Sequence, residues 1–378
     1  MFESVINNFN TPTYVYDINK LIDRVNYLQS KFINKSLVYA VKANTFVPKE
    51  LENYVERFEI CSYGEFNICN KLNIDHSKMV ISGVHKDEPS IDDMFNYEIG
   101  KFTIESIEQF KLLEKMCKKH NKKVNVLIRL TSNNQFGVTE EEVKYIIKTS
   151  ENIIIDGIEY FSGTQKTSLK KINKEIDYLN EFVSNLEQEL NIEIKEIEYG
   201  PGLPIHYFMD QEFNEDEFLT EVNNILDRLN KKVLLEIGRS MVASCGYYFT
   251  KVVDMKTNKN GNYVIVDGGI NHLVYYGQTM AMRIPYFEVY PKREENIENY
   301  NIYGSLCTIN DIIVKNINTS KLEIGDVFIF KNVGAYSSTE GISLFLSRDL
   351  PSVILYKDNK FIKVRDNLKT SDINYPNY

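Results

Sequence analysis

The chain lacks most of the marks of a secreted, metal-binding or membrane-inserted protein. Its five cysteines (Cys61, Cys69, Cys117, Cys245 and Cys307) are scattered and form no CxxC pair. Free thiols in a reducing compartment are therefore expected, and no disulfide framework. The five histidines form no HxH or HxxxH motif, so no metal centre is expected. No apolar run is long enough to cross a bilayer. The opening "MFESVINNFN" has neither the basic start nor the apolar stretch of a signal peptide, which points to a cytoplasmic protein. Basic residues are outnumbered, 44 Lys and Arg against 53 Asp and Glu, for a formal net charge of -9. That balance argues against nucleic acid and anionic lipid as partners, because both need a basic surface. An acidic small molecule remains possible, since it answers to a local pocket. Internal repeats and low-complexity tracts are also missing.

What is present is ordinary globular composition spread over 378 residues, a length that suits two domains better than one core. Strand-like and helix-like segments alternate through the first two-thirds. In "DINKLIDRVNYLQSKF", Ile18, Leu21, Ile22, Val25 and Leu28 share one helical face. "LVYAVKAN" (37–44), "KVNVLIRL" (123–130), "IIIDGIEYF" (153–161), "IKEIEYG" and "KVLLEIGR" (232–239) are buried-strand candidates. Long amphipathic helices are predicted over 169–190 and around 218–229. Repeated βα units imply a parallel sheet, and their number favours an α/β chain with a TIM (β/α)8 barrel over residues 18–245. From Gly246 onward short strands dominate. Residues 246–378, together with the β-rich 1–17 ("TPTYVYD"), are expected to form a mainly antiparallel β domain.

Several short stretches could carry chemistry. Lys42 ends the apolar run "LVYAV", at the strand end where barrels of this type keep their functional groups. A lysine among apolar neighbours favours its neutral amine, the form that makes a Schiff base. A lysine snorkelling to solvent fits the same pattern. In "EIGRSM", Glu236 closes a strand and Gly238-Arg239 follows at once, which suits a ligand with a basic atom and an anionic group. A surface Glu and Arg at a strand end fit equally. "YGPGLP" (Gly200, Gly202) and "FSGTQ" (Gly163, Thr164) follow strands and allow close backbone approach to a phosphate. Tight strand-to-helix turns would look alike. "GSLCTIND" (Cys307, Asp311) and "NVGAYSS" (Tyr336) are unremarkable alone; a lone cysteine is most often a small core residue.

In this order, "TPTYVYD", "YAVKAN", "ICSYGE", "FSGTQ", "GPG", "EIGR", "VDGGINH", "GSLCTIND" and "GAYSS" resemble the successive signatures of the fold-type III pyridoxal-phosphate decarboxylases, the family of diaminopimelate and ornithine decarboxylases. The resemblance runs from about Thr11 to Leu350. It implies pyridoxal 5'-phosphate as cofactor, held covalently by Lys42, with Glu236 at the pyridine nitrogen. Gly200, Gly202, Gly238, Arg239, Thr164 and Tyr336 would surround the phosphate. It also implies a head-to-tail homodimer with shared active sites, into which Cys307 and Asp311 of a second copy reach, Cys307 as the proton donor. A carboxylate at the ring nitrogen favours decarboxylation over the racemase chemistry that shares this fold. A non-catalytic, cofactor-binding protein is a further alternative, disfavoured by the second domain.

Three departures from the family pattern bear on substrate. Thr308 stands where an acidic residue usually follows the cysteine. Tyr275 lies near the place of a carboxylate-binding arginine. Phe161 replaces the histidine that covers the pyridine face, where an aromatic ring still stacks. These departures suggest a divergent subgroup acting on a diaminopimelate-like, siderophore-precursor or carrier-protein-linked amino acid. The alternative is meso-diaminopimelate decarboxylation in lysine biosynthesis.

Overall fold

The computed structural model describes residues 1–294 and 296–376. In chain order the strands are β1 (Thr13–Asp17), β2 (Ser36–Ala40), β3 (Arg57–Ile60), β4 (Met79–Ile81), β5 (Lys101–Ile104), β6 (Val124–Arg129), β7 (Ile153–Phe161), β8 (Glu196–Gly200), β9 (Lys232–Ile237), β10 (Gly246–Asn258), β11 (Gly261–Val266), β12 (Phe287–Tyr290), β13 (Ile297–Tyr303), β14 (Ile312–Ser320), β15 (Val327–Lys331), β16 (Ser352–Lys357) and β17 (Lys360–Arg365). The chain divides into two compact units. One holds Val25–Pro204 and Asn214–Met241; the other holds Met1–Arg24, Ile205–Phe213 and the chain from Val242 onward.

In the first unit, β2 to β9 close into a parallel eight-stranded barrel, the TIM-type architecture expected from the alternating pattern. Closure comes from β9 pairing with β2, which sets Glu236 beside Val38; on the other flank Ala40 lies beside Glu59. The connecting helices bury the predicted apolar stripes. Ile172, Ile176, Leu179, Val183 and Leu186 are buried on the long helix Leu169–Leu190, whose first turn is capped by the Ser168 hydroxyl. The helix Tyr63–Lys71 begins on a similar cap, Ser62 accepting from the Glu65 N–H. The Glu65 carboxylate reaches back to the Cys61 N–H at 2.8 Å. The motif "CSYGE" is thus a helix start that fixes the end of β3.

The barrel interior is unusual in composition. Such interiors are normally packed with Val, Ile and Leu. Here charged residues alternate into it from β3, β5 and β8. Arg57 forms a two-pronged pair with Glu196 at 2.7 and 2.9 Å and reaches Glu198 at 3.4 Å. Lys101 pairs with Asp156 and lies 3.3 Å from Glu196. Each of these residues at a strand start is offset by a partner of opposite sign, as burial demands. Replacing Arg57 with Met should leave Glu196 to Lys101 and cost about 1–3 kcal/mol of stability in urea unfolding of the cofactor-free protein. A loss below about 1 kcal/mol would show that Lys101 alone meets the Glu196 charge.

The second unit carries a nine-stranded sheet in the order β14-β13-β11-β10-β1-β16-β17, with β15 joining β10 and β12. β1 lies antiparallel to β10 and parallel to β16, so the β-rich N-terminal segment does enter this sheet. Val15, Phe249, Ile329 and Ile354 form part of its core, covered by Phe2, Ile6 and Phe9.

Candidate active site

Lys42 does not continue its strand. β2 stops at Ala40, and Val41–Ala43 form one 3-10 turn. The Tyr39 hydroxyl donates to the Asn44 carbonyl, and the Asn44 side chain accepts from the Phe46 N–H. These local bonds pull the backbone out of the ladder and turn the lysine over the barrel mouth. The apolar strand suggests a dry lysine; instead its side chain is 37% exposed, with Nζ 2.5 Å from Glu59 Oε2, 3.3 Å from Glu236 Oε1 and 3.3 Å from Cys61 Sγ. The neighbours that govern Lys42 are carboxylates, not the strand's apolar residues.

Those carboxylates divide their protons unequally. Burial raises Glu236, and the negative charge of Glu59 adds to it, against the pull of Lys42. Burial also works upward on Glu59, but the Lys42 ammonium and hydrogen bonds from Glu236, Lys42 and Cys61 bring it below the usual range. Glu59 is therefore the anion of the pair and Glu236 the acid, hydrogen-bonded to it. Burial pushes the Cys61 thiol well up, helped by Glu59, so it remains a thiol. Deeper in, Arg129 lies 3.3 Å from Glu105 and 3.4 Å from Glu159. Glu159 is fully buried and neither of its oxygens has a hydrogen-bond partner. Burial pushes this carboxyl up as well, so it is held as the neutral acid.

Beside this cluster the ends of β7, β8 and β9 form a backbone-lined hollow. Gly163 has φ +137°, and a Cβ there would meet nothing within 4 Å. Gly202 has φ +59°, and a Cβ would come within 2.1 Å of the Gly163 carbonyl. Only glycine permits that approach. At Gly200 a Cβ would strike the Phe161 ring at 2.4 Å, so the missing side chain lets the ring lie against the strand. Arg239, buried directly after Gly238, donates through Nε to the Thr164 hydroxyl at 3.3 Å. An amine, a carboxyl group, an aromatic face and a glycine hollow with guanidinium and hydroxyl donors fit the parts of pyridoxal phosphate.

The other predicted residues belong to the second unit. Cys307 is exposed in the loop joining β13 to β14, and Thr308 follows it half-buried, its hydroxyl accepting from the Asn310 N–H. Asp311 is buried, and its carboxylate accepts from the N–H groups of Ile270 (2.8 Å) and Leu306 (2.7 Å). Both its oxygens are spent on backbone, so its observed work is to shape the Cys307 loop. Tyr275 is buried against Tyr207 and Phe208 and donates its hydroxyl to the Lys331 carbonyl at 2.8 Å. That engagement gives it a packing role in this unit. Tyr336 is half-buried with φ +63°, its carbonyl accepting the N–H groups of Thr339 and Glu340.

Sequence reasoning missed Glu59, Cys61, Arg129 and Glu159. A signal was available: charged residues at alternate positions in short apolar strands, as in "RFEIC" and "GIEYF", place the charge on the inner face. Among the described residues no group of three His, Cys, Asp or Glu side chains could hold a metal ion, and no helix is long and apolar enough to cross a membrane.

Comparison with known proteins adds to this geometry. The family model described as pyridoxal-dependent decarboxylase, C-terminal sheet domain, matches residues 13–334. A diaminopimelate decarboxylase of Helicobacter pylori is 26% identical, the match covering 98% of this chain and 96% of that protein. One from Aquifex aeolicus is 27% identical, covering 87% and 82%. The crystal structure of the Helicobacter pylori diaminopimelate decarboxylase complexed with L-lysine superposes with a TM-score of 0.86 at 24% identity, over 99% of this chain and 98% of that one. At that identity the likeness speaks for the fold.

Proposed function

Taking as premise that this chain belongs to the pyridoxal-dependent decarboxylases, we propose that its substrate is meso-diaminopimelate and its product lysine. The chain is an amino-acid decarboxylase with pyridoxal 5'-phosphate as cofactor. The observation that carries the substrate reading is the end-to-end match with diaminopimelate decarboxylases, over 98% of this chain in one case. The carrier-linked or siderophore-precursor substrate expected above is withdrawn: the relatives give it no support. Its physical basis has also weakened, because the Tyr275 hydroxyl is committed to the Lys331 carbonyl. Thr308 and Phe161 remain departures that a free diaminopimelate site has to accommodate.

When bound, the cofactor supplies a sink for the electron pair left on Cα as the carboxylate departs. The chain's residues do the rest. Lys42 offers the amine that holds it, steadied by Glu59. Glu236, which holds a proton beside Glu59, would face the ring nitrogen and pass that proton to it, leaving a carboxylate against the positive charge. Gly163, Thr164, Gly200, Gly202, Gly238 and Arg239 would take the phosphate, and Phe161 would lie against the ring. Cys307 of a second copy gives its Sγ proton to Cα in a homodimer with shared sites.

The test is direct. Purified, cofactor-loaded protein given meso-diaminopimelate should release carbon dioxide and lysine. Turnover of ornithine or lysine with no action on diaminopimelate would overturn the substrate while leaving the reaction class. The role of Cys307 has its own expected result. Cys307→Ala should slow turnover by roughly 10²–10⁴-fold, the worth of a positioned general acid, with cofactor absorbance unchanged. Mixing inactive Cys307→Ala and Lys42→Ala subunits should restore part of the activity; exchange without recovery would count against shared sites.

A further inference from the structure

Behind the glycine hollow lies a buried ion pair that the reaction described above does not use. Glu175, on the helix Leu169–Leu190, is 7% exposed, and Lys166 is 5% exposed. The Lys166 ammonium donates to Glu175 Oε2 at 2.7 Å and lies 3.4 Å from the Gly200 carbonyl. The Tyr199 hydroxyl donates to the same carboxylate oxygen at 2.6 Å, and the Ser162 hydroxyl to the other at 2.5 Å. The Lys166 N–H donates to the Gly202 carbonyl at 2.8 Å. One carboxylate thus ties together both arms of the hollow: Ser162 and Lys166 flank Gly163 and Thr164, while Tyr199 precedes Gly200.

A buried carboxylate this near an anion site is a liability unless its charge is met. Lys166 meets it. Burial draws the Lys166 ammonium below its usual value, and its hydrogen bond to Glu175 opposes that drift. Without the lysine, an uncompensated negative charge would sit behind a site built for a phosphate, and one anchor of the 162–166 loop would be gone.

We infer that Lys166 and Glu175 are positioning residues for the cofactor's phosphate, bracing the Gly163–Thr164 and Gly200–Gly202 arms from behind and cancelling each other's charge there. This rests on the phosphate assignment proposed above. The test compares binding of pyridoxal phosphate with pyridoxal, which lacks the phosphate, by spectroscopic titration of full-length protein. Lys166→Met should weaken pyridoxal phosphate by roughly 10–100-fold, as loss of a supporting shell does elsewhere, and leave pyridoxal within about twofold. The double variant Lys166→Met/Glu175→Gln removes both charges and should recover much of that loss. Ser162→Ala, which deletes one hydroxyl and leaves the pair, serves if Lys166→Met does not fold; it should shift the same ratio in the same direction. Parallel loss of both ligands, or an unchanged ratio, would overturn the inference. Failure of the wild-type protein to prefer pyridoxal phosphate over pyridoxal would instead remove the phosphate assignment itself.

Discussion

Lys42→Ala is expected to lose turnover by on the order of 10⁴-fold or more, the scale seen when a covalent group is removed from a working site. The reason is chemical: among the groups gathered at the barrel mouth, Lys42 supplies the amine, while Glu59, Glu236 and Cys61 surround it. The loss has a structural component as well. Glu59 is buried, and the ammonium is what keeps it anionic against burial. Alanine leaves that charge without its partner. Lys42→Arg separates the two effects, because it keeps a cation near Glu59 yet offers no amine to the cofactor. Both variants should be inactive. Borohydride reduction of wild-type holoenzyme should fix the cofactor's mass on the peptide holding Lys42, and neither variant should take it up. Activity in Lys42→Arg above a thousandth of wild type would reassign the attachment point.

The second large effect is at Glu236. Its carboxyl is buried, hydrogen-bonded to Glu59 and held as the acid. Glutamine copies the shape and still donates to Glu59. It cannot become an anion, however, and so cannot stabilise positive charge at the ring nitrogen. Glu236→Gln should fold normally, bind the cofactor and turn over about 10²–10³-fold more slowly, the usual cost of one preorganised electrostatic partner. The drop should lie in kcat, with KM little changed. Full activity in this variant would mean that the nitrogen's charge state does not limit the reaction.

These two residues also mark how far the sequence could be read. Lys42 and Glu236 were legible because each is a charge at the end of an apolar run in the sequence, and strand ends in such barrels face the site. The long helix at 169–190 and the strand at 153–161 were legible through their length and periodicity, and the structure gives the same spans. β3, β4 and β5 were not. They are three or four residues long, and Arg57, Glu59 and Lys101 break the apolar character of β3 and β5. Their charges make sense only once closure sets Arg57 against Glu196 and Lys101 against Asp156. Asp311 and Tyr275 illustrate what else local pattern leaves out. Their residue types suit substrate contact, but backbone groups distant in sequence had already claimed them: Ile270 for Asp311 and Lys331 for Tyr275. Local pattern carries no record of such claims.

The pairing of β1 with β16 has a consequence for how the protein is made. Thr13 meets Ser352 at a separation of 339 residues. At roughly 5–20 residues per second, β1 waits about 20–70 s for that neighbour to be synthesised. Throughout that interval Tyr14, Val15 and Tyr16, all fully buried in the finished fold, have an unpaired edge. The barrel can close earlier, once β9 has emerged to pair with β2. Nascent chains stalled before residue 352 should therefore hold a closed barrel and an open sheet, and that open sheet is the surface a trigger-type chaperone would meet.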